Sequence, residues 1–186
     1  HWRLKVAGGV VRAEKVILAT NGYTGNLFPN LRQTIVPLRS THVATTVMGA
    51  DMAKTVLPGN HGLSDTRQAL WAFRKDRFGR IVTTAAPVFT AGARGRMTAS
   101  TIKRLNIAFP QIERAEVEYV WEGIIAMTPE RLPRYHELAG GMIAALGYSG
   151  RGIALGTAVG RMLAQRTLGA AASELALPAL PLKPLP

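Results

Sequence analysis

The strongest constraint on the fold is a short apolar segment that opens directly into a glycine-rich turn. Residues 142–146 (MIAAL) form a continuous apolar run, which is typical of a strand buried on both faces. The turn GYSGRG follows at 147–152, and the residues from about Gly152 to Leu168 have the pattern of a helix that Gly169 can cap. The sequence therefore predicts a parallel-type strand, a glycine turn and a terminal helix in direct succession.

A second buried strand is predicted near the start of the chain, at 16–19 (VILA). Between the two, antiparallel strands are predicted at 34–48, in a hairpin at 69–74 and 80–84, and at 116–125, with a helix at 97–108. This order predicts an α/β (α+β) fold in which an antiparallel β-sheet domain interrupts a partial doubly wound domain. Residues 171–186, rich in Leu and Pro, predict an extended tail.

Composition excludes several classes of function. The 186 residues are 47% hydrophobic and 18% charged, which is too apolar for a disordered chain. No apolar run is long enough to span a membrane, so we expect a soluble, cytoplasmic protein. The chain has no cysteine and its four histidines are isolated from one another, so neither thiol chemistry nor a metal site is expected.

The net charge of +12 raises the question of an anionic partner. Lys and Arg are dispersed along the chain in runs of no more than two. The densest segment, 74–77 with Arg80, lies in the predicted hairpin, where solvated charge is the rule. Nucleic-acid binding is therefore not expected, although a basic module that binds an anion or a nucleic acid without catalysis remains the alternative function.

The glycine turn admits two interpretations. Gly150, Gly152 and Gly156 are spaced as in a dinucleotide-binding turn, but no strand with a terminal acidic residue follows the helix. We favour a helix N-terminus directed at an electron-rich group of a ligand that other parts of the protein hold. The alternative is a tight turn that only packs a helix closely on a sheet. Ser149 does not fit a nucleophile elbow because Arg151 occupies the place of the second glycine.

Four blocks, in this order, resemble the C-terminal half of the FAD-dependent amine and D-amino-acid oxidase superfamily. They are VILATNGYT at 16–24, IVPLRS at 35–40, WEG at 121–123 with MTPERLP at 127–133, and GYSGRGIALGT at 147–157. The resemblance covers the chain from about Leu4 to Leu168, with particular likeness to γ-glutamylputrescine oxidase-like and glycine/sarcosine oxidase-like members.

The resemblance implies a division of the chain and a set of site residues. Residues 1–34 and 122–170 would belong to the FAD-binding domain, 35–121 to a substrate domain, and 171–186 to the tail. Arg39 and Tyr148 would line the substrate pocket. The residues implied to contact FAD are Ala19, Thr20, Asn21, Gly147, Gly150, Arg151, Gly152, Ile153 and Ala154.

The implied reaction is oxidation of the C–N bond of an amine or amino acid, with hydride transfer to flavin N5. Relatives often carry an arginine before the Thr-Pro block, where this chain has Ile125-Ala126-Met127. A carboxylate-anchored substrate is therefore less expected than a polyamine-like amine. The missing N-terminal half of the parent should carry the phosphate-binding turn, so this chain alone is not expected to hold FAD or to be active. No catalytic base is assigned.

Overall fold

The computed structural model describes residues 1–67, 70–85, 93–112 and 114–185, which form two compact units. Unit 1 comprises His1–Leu38 and Ile124–Pro186, and unit 2 comprises Arg39–Gly123. The elements of the described residues are strands β1 (Trp2–Val6), β2 (Gly9–Ala13), β3 (Val16–Leu18), β4 (Val36–Thr45), β5 (Leu63–Ser64), β6 (Ala72–Lys75), β7 (Ile81–Ala85), β8 (Val117–Met127), β9 (Arg134–Ala139) and β10 (Met142–Leu146), and helices α1 (Ala50–Thr55), α2 (Ala93–Ala108) and α3 (Gly152–Thr167).

Unit 1 contains a three-stranded sheet in the order β3-β10-β9. β10 pairs in parallel with β3, with Met142 opposite Val16, and this confirms the predicted parallel strands at the two ends of the chain. β9 pairs antiparallel with β10 and had no counterpart in the prediction, because its sequence RYHELA lacks an apolar run or a regular alternation. The strand predicted at 16–19, which is β3, was expected to be buried on both faces. This was wrong for Ile17, which is 40% exposed because β3 is an edge strand.

Helix α3 packs on this sheet through one apolar stripe. Val159, Met162 and Leu163 are buried, and their spacing of three and four residues places them on one side of the helix. They form a core with residues of β9 and β10, including the fully buried Tyr135. The half-buried Tyr148, in the turn after β10, packs at the edge of this core. The helix starts at Gly152 as predicted and ends one residue before the predicted limit.

The Leu- and Pro-rich tail begins with a 3-10 turn at Ala172–Glu174, and its later, extended part attaches to the rest of unit 1 by backbone hydrogen bonds. The Leu180 N–H donates to the Tyr135 carbonyl at 2.8 Å, and the Leu185 N–H donates to the Gln33 carbonyl at 2.9 Å. The imidazole Nδ1 of His136 lies 2.8 Å from the Leu180 carbonyl. Proline has no backbone N–H, but the other residues of the tail keep theirs. The tail can therefore donate single hydrogen bonds without forming a regular strand.

Unit 2 contains the antiparallel sheet, with strand order β5-β6-β7-β4-β8. The predicted hairpin is present as β6 and β7, although Ala69, within its predicted first strand, lies outside the described residues. One face of the sheet packs on α2, with Phe73, Ile81 and Leu105 in a common core. The rings of Phe73 and Phe109 meet edge to face at 5.4 Å. Helix α2 begins four residues before its predicted start at 97.

Candidate functional site

The turn after β10 joins the ends of the two parallel strands. The Gly147 N–H donates to the Asn21 side-chain oxygen at 3.0 Å, so the residue that follows β3 holds the residue that follows β10. Gly147 has φ +84°, and a Cβ at this position would lie 2.4 Å from Cγ2 of Thr128. Asn21 also has a positive φ, of 42°, a conformation that Asn tolerates better than most residues. A side chain at position 147 would therefore disturb both the turn and its link to β3.

The N-terminus of α3 is open. In the described part of the chain, the N–H groups of Gly152, Ile153 and Ala154 have no hydrogen-bond acceptor, and the Leu155 N–H is the first to pair, with the Arg151 carbonyl at 3.1 Å. The Ile153 side chain is 97% exposed. A Cβ on Gly150 would meet no atom within 4 Å. Three aligned and unpaired N–H donors at an exposed helix end form a surface that suits an electron-rich group.

Ser149 has a structural role in this turn. Its hydroxyl accepts a hydrogen bond from the Thr128 N–H at 3.2 Å and donates to the Gly147 carbonyl at 3.2 Å. Its own N–H donates to the Ala126 carbonyl at 2.9 Å. With a φ of 50°, Ser149 is fixed by these contacts in the left-handed region. The hydroxyl is thus engaged with the backbone of the turn.

The other implied cofactor and substrate residues of unit 1 differ in their surroundings. Ala19 is exposed at the end of β3, and the hydroxyl of Thr20 lies 2.5 Å from that of Thr24. The guanidinium of Arg151 donates to the Arg131 carbonyl. Tyr148 is half-buried, and this burial raises the pKa of its phenol. None of these contacts tests a role toward FAD or substrate, so the roles stay predictions.

Arg39, the second implied substrate residue, belongs to unit 2. Its guanidinium forms an ion pair with Glu122 at 2.8 Å, and its side chain is 53% exposed. The pair is therefore screened by solvent, and Arg39 would have to exchange Glu122 for a substrate carboxylate in order to bind one.

The sheet of unit 2 also carries polar and aromatic groups that the sequence analysis did not single out. His42 on β4 stacks on Trp121 of β8, with ring centroids 5.4 Å apart and planes 14° from parallel. Burial and then the nearby charge of Arg74 lower the pKa of His42. The alternation of residues along β4 indicates where His42 lies. Thr41 and Val43 are buried on the α2 side, and because successive strand residues point to opposite faces, His42 lies on the other face.

In the described part of the chain, no group of three His, Asp or Glu side chains is placed to hold a metal ion. Of the helices in the same part, none is both long and apolar enough to cross a membrane.

The fold of the chain is shared with solved structures of oxidases. Glycine oxidase from Bacillus cereus ATCC 14579 superposes with a TM-score of 0.71 over 92% of this chain and 46% of that structure, at 22% identity. Fructosamine oxidase (Amadoriase II) from Aspergillus fumigatus superposes with a TM-score of 0.71 over 90% of this chain and 44% of that structure, at 16% identity. At such low identity these likenesses establish the fold alone.

The sequence then gives the family. Residues 1–166 match the family model of the FAD dependent oxidoreductases (DAO), and the chain belongs to that family. It is 29% identical to the probable oxidoreductase OrdL of Rhizobium meliloti (strain 1021), over 96% of this chain and 42% of that protein. It is 27% identical to the γ-glutamylputrescine oxidoreductase of Escherichia coli (strain K12), over 98% of this chain and 43% of that protein. The chain therefore spans less than half the length of these relatives.

Proposed function

We propose that this chain is part of an FAD-dependent oxidoreductase that oxidises a C–N bond of an amine or amino acid, and that it is active only together with the rest of the parent protein. The observation that carries the proposal is the open N-terminus of α3 beside the Gly147–Asn21 link, in a chain of this family. The relatives include a γ-glutamylputrescine oxidoreductase, whose name describes oxidation of an amine derivative.

The residues of the turn fit a flavin. A flavin presents a flat ring system with electron-rich nitrogen and oxygen atoms at one edge, and it needs donors that side chains do not obstruct. Gly150 leaves open space at its Cβ position, and the free N–H groups of Gly152, Ile153 and Ala154 supply the donors. Ala19 and Thr20 keep the end of β3 narrow, so a cofactor can pass close to the backbone there.

When bound, FAD supplies the acceptor for the hydride that leaves the substrate carbon. The contribution of this chain is electrostatic. The partial positive charge at the start of α3 would favour negative charge on a flavin bound there. Arg151 adds a full positive charge near the same end of the helix, after exchanging its contact with the Arg131 carbonyl. Asn21 keeps the turn in place while this charge develops.

The proposed substrate is an amine. Where relatives often carry an arginine, Ala126 is fully buried in an apolar cluster with Leu31 and Leu146. This position therefore offers no charge to a carboxylate beside the reacting carbon. Arg39 and Tyr148 remain the proposed substrate contacts, Tyr148 through its ring and hydroxyl, Arg39 only if it leaves Glu122.

The portion of the parent protein that precedes this chain is the proposed partner. β3 has a free edge, and Ile17 and Ile153 expose large apolar surfaces. A strand and a phosphate-binding turn from the missing portion would cover the edge and complete the FAD site. We propose that residues 1–34 and 122–170 belong to the FAD-binding domain and 35–121 to the substrate domain.

The test uses the full-length parent and the isolated chain. The parent should purify with the visible absorbance of a flavin, and an amine should bleach that absorbance when oxygen is excluded. The isolated chain should lack it. If the parent holds no flavin, the proposal is wrong. Salt-sensitive binding of a flavin-free parent to nucleic acid would instead support a basic binding module.

A matched pair of variants tests the role of the helix N-terminus. Ile153→Asp places a negative charge among the free N–H groups, whereas Ile153→Asn has the same shape without the charge. In the parent, Ile153→Asp should lower the reduction potential of the flavin or release it, and Ile153→Asn should do so much less. Equal potentials and equal flavin contents in the two variants would refute the electrostatic role.

A further inference from the structure

A cavity of about 420 Å³ lies on the sheet face of unit 2 that is opposite to α2. Its lining is mostly apolar, and Arg74 is the one residue with a permanent charge among the lining residues that the structure describes. A second cavity of about 690 Å³ lies beside it, and Arg74 and Val82 line both. The residues that line the first cavity are His42, Gly62, Leu63, Ser64, Ala72, Phe73, Arg74, Val82, Thr83 and Thr84.

Arg74 has no counter-ion among the described residues, and unlike Arg80 and Lys75 it also has no hydrogen-bond acceptor there. Arg80 forms a two-point ion pair with Glu118 at 2.8 and 3.0 Å. The Lys75 ammonium donates to the carbonyls of Ala53 and Val56. Among the described residues, none forms an ion pair or a hydrogen bond with the guanidinium of Arg74. Since Arg74 is also exposed, its charge is available to a ligand.

The groups around Arg74 restrict the kind of ligand. The stacked pair of His42 and Trp121 provides a flat apolar wall next to the guanidinium. Burial and the charge of Arg74 lower the pKa of His42, so near neutral pH the imidazole is uncharged and can donate one hydrogen bond. One arginine in an apolar cavity, with no second free cation among its described lining, suits a singly charged planar anion better than a phosphate.

We propose that Arg74 and the cavity beside His42 form a binding site for the carboxylate of an organic acid with an apolar chain. The guanidinium would bind both carboxylate oxygens, and the apolar chain would lie along Ala72 and Val82, which share the sheet face of Arg74.

The test measures binding to the 186-residue chain directly, without flavin. The probe is 4-phenylbutyrate, and the matched ligand is its uncharged amide. Binding is followed by the indole N–H signals of the three tryptophans in ¹⁵N-labelled protein, with the Trp121 signal assigned through Trp121→Phe. The acid should shift the Trp121 signal in a saturable manner, and the amide should bind at least about tenfold more weakly, because hydrogen bonds to charged groups are the strong ones.

Three variants locate the site. Arg74→Gln should weaken binding of the acid at least about tenfold, whereas Arg74→Lys should retain part of it. Arg77→Gln removes the same charge from the hairpin turn, outside the cavity lining, and should leave binding within about twofold. Circular dichroism of each variant should match the wild type, because Arg74 is exposed and unpaired.

Two results would overturn the proposal. One is equal binding of the acid and the amide, and the other is equal loss of binding in Arg74→Gln and Arg77→Gln. The outcome is separable from the proposed function. If the parent binds flavin but the 186-residue chain does not bind the acid, the proposed function stands and the carboxylate site is wrong. If the parent binds no flavin but the chain binds the acid, the carboxylate site stands and the proposed function is wrong.

Discussion

Substitution of Gly147 by alanine should destabilise the turn that carries the candidate flavin site. Two costs apply. A non-glycine residue at φ +84° costs about 1–2 kcal/mol. The added Cβ would also lie 2.4 Å from Cγ2 of Thr128, and such overpacking costs about 1–3 kcal/mol. Thr128 cannot easily rotate away, because it is buried and its hydroxyl donates to the Leu132 carbonyl at 2.9 Å.

Gly150→Ala is the matched control, since Gly150 has φ +85° and open space at the Cβ position. Both variants have the same cost of a positive φ and the same effect of an added methyl group on the unfolded state. The difference between their unfolding free energies therefore measures the steric clash with Thr128. Urea unfolding of the 186-residue chain, followed by circular dichroism, should place Gly147→Ala about 1–3 kcal/mol below Gly150→Ala.

A second substitution tests the steric clash with Thr128 directly. Thr128→Ser removes Cγ2 and keeps the hydroxyl, so the double variant with Gly147→Ala should recover most of the difference from Gly150→Ala. Two results would contradict the reasoning. One is equal stability of the two glycine variants within about 0.5 kcal/mol, and the other is a double variant whose losses simply add.

Three further predictions concern the described contacts. Thr101 is buried in α2, and its hydroxyl has no hydrogen-bond partner among the described residues, so Thr101→Val should raise the unfolding free energy by about 1 kcal/mol. Thr128→Val should instead lower it, because it removes the hydrogen bond to the Leu132 carbonyl, and urea titrations would measure both changes. Asn21→Ala should lower it by about 1–2 kcal/mol, and Asn21→Asp, which keeps the acceptor for Gly147, should lower it less. The hydrogen bond from Arg166 lowers the pKa of Glu137, so its contribution is present above the unfolded-state pKa and is lost as the pH falls through the folded-state pKa. The stability difference between wild type and Glu137→Gln should therefore shrink in acid, and a constant difference from pH 7 to pH 3 would contradict this.

The elements that the sequence predicted are those with strong local patterns. β10 and the start of α3 follow from an uninterrupted apolar run and the glycines after it. β9 and the six-residue helix α1 were missed, because neither has an apolar period long enough to recognise. β9 pairs with β10 across the two-residue turn at Gly140 and Gly141, so the local signal for it lies in the turn and not in the strand itself.

The candidate flavin site was accessible to sequence analysis because its residues form contiguous blocks. The turn 147–152 and the strand end at Ala19, Thr20 and Asn21 are each a few residues long and lie in the order of the family. The hydrogen bond between Asn21 and Gly147 joins positions 126 residues apart, and no local pattern indicates it. The same applies to the stack of His42 on Trp121.

By itself the sequence determined the two apolar strands, the glycine turn, the final helix and the family, because these depend on periodicity and on short contiguous blocks. Only the tertiary structure decided which of the basic residues of the sheet pair with a carboxylate. Arg39, Arg80 and Arg74 are alike in the sequence, yet the first two meet Glu122 and Glu118 across the sheet and Arg74 meets no carboxylate of the described residues. The physical reason is that charge pairing depends on which strands become neighbours, and strand order is a property of the folded sheet.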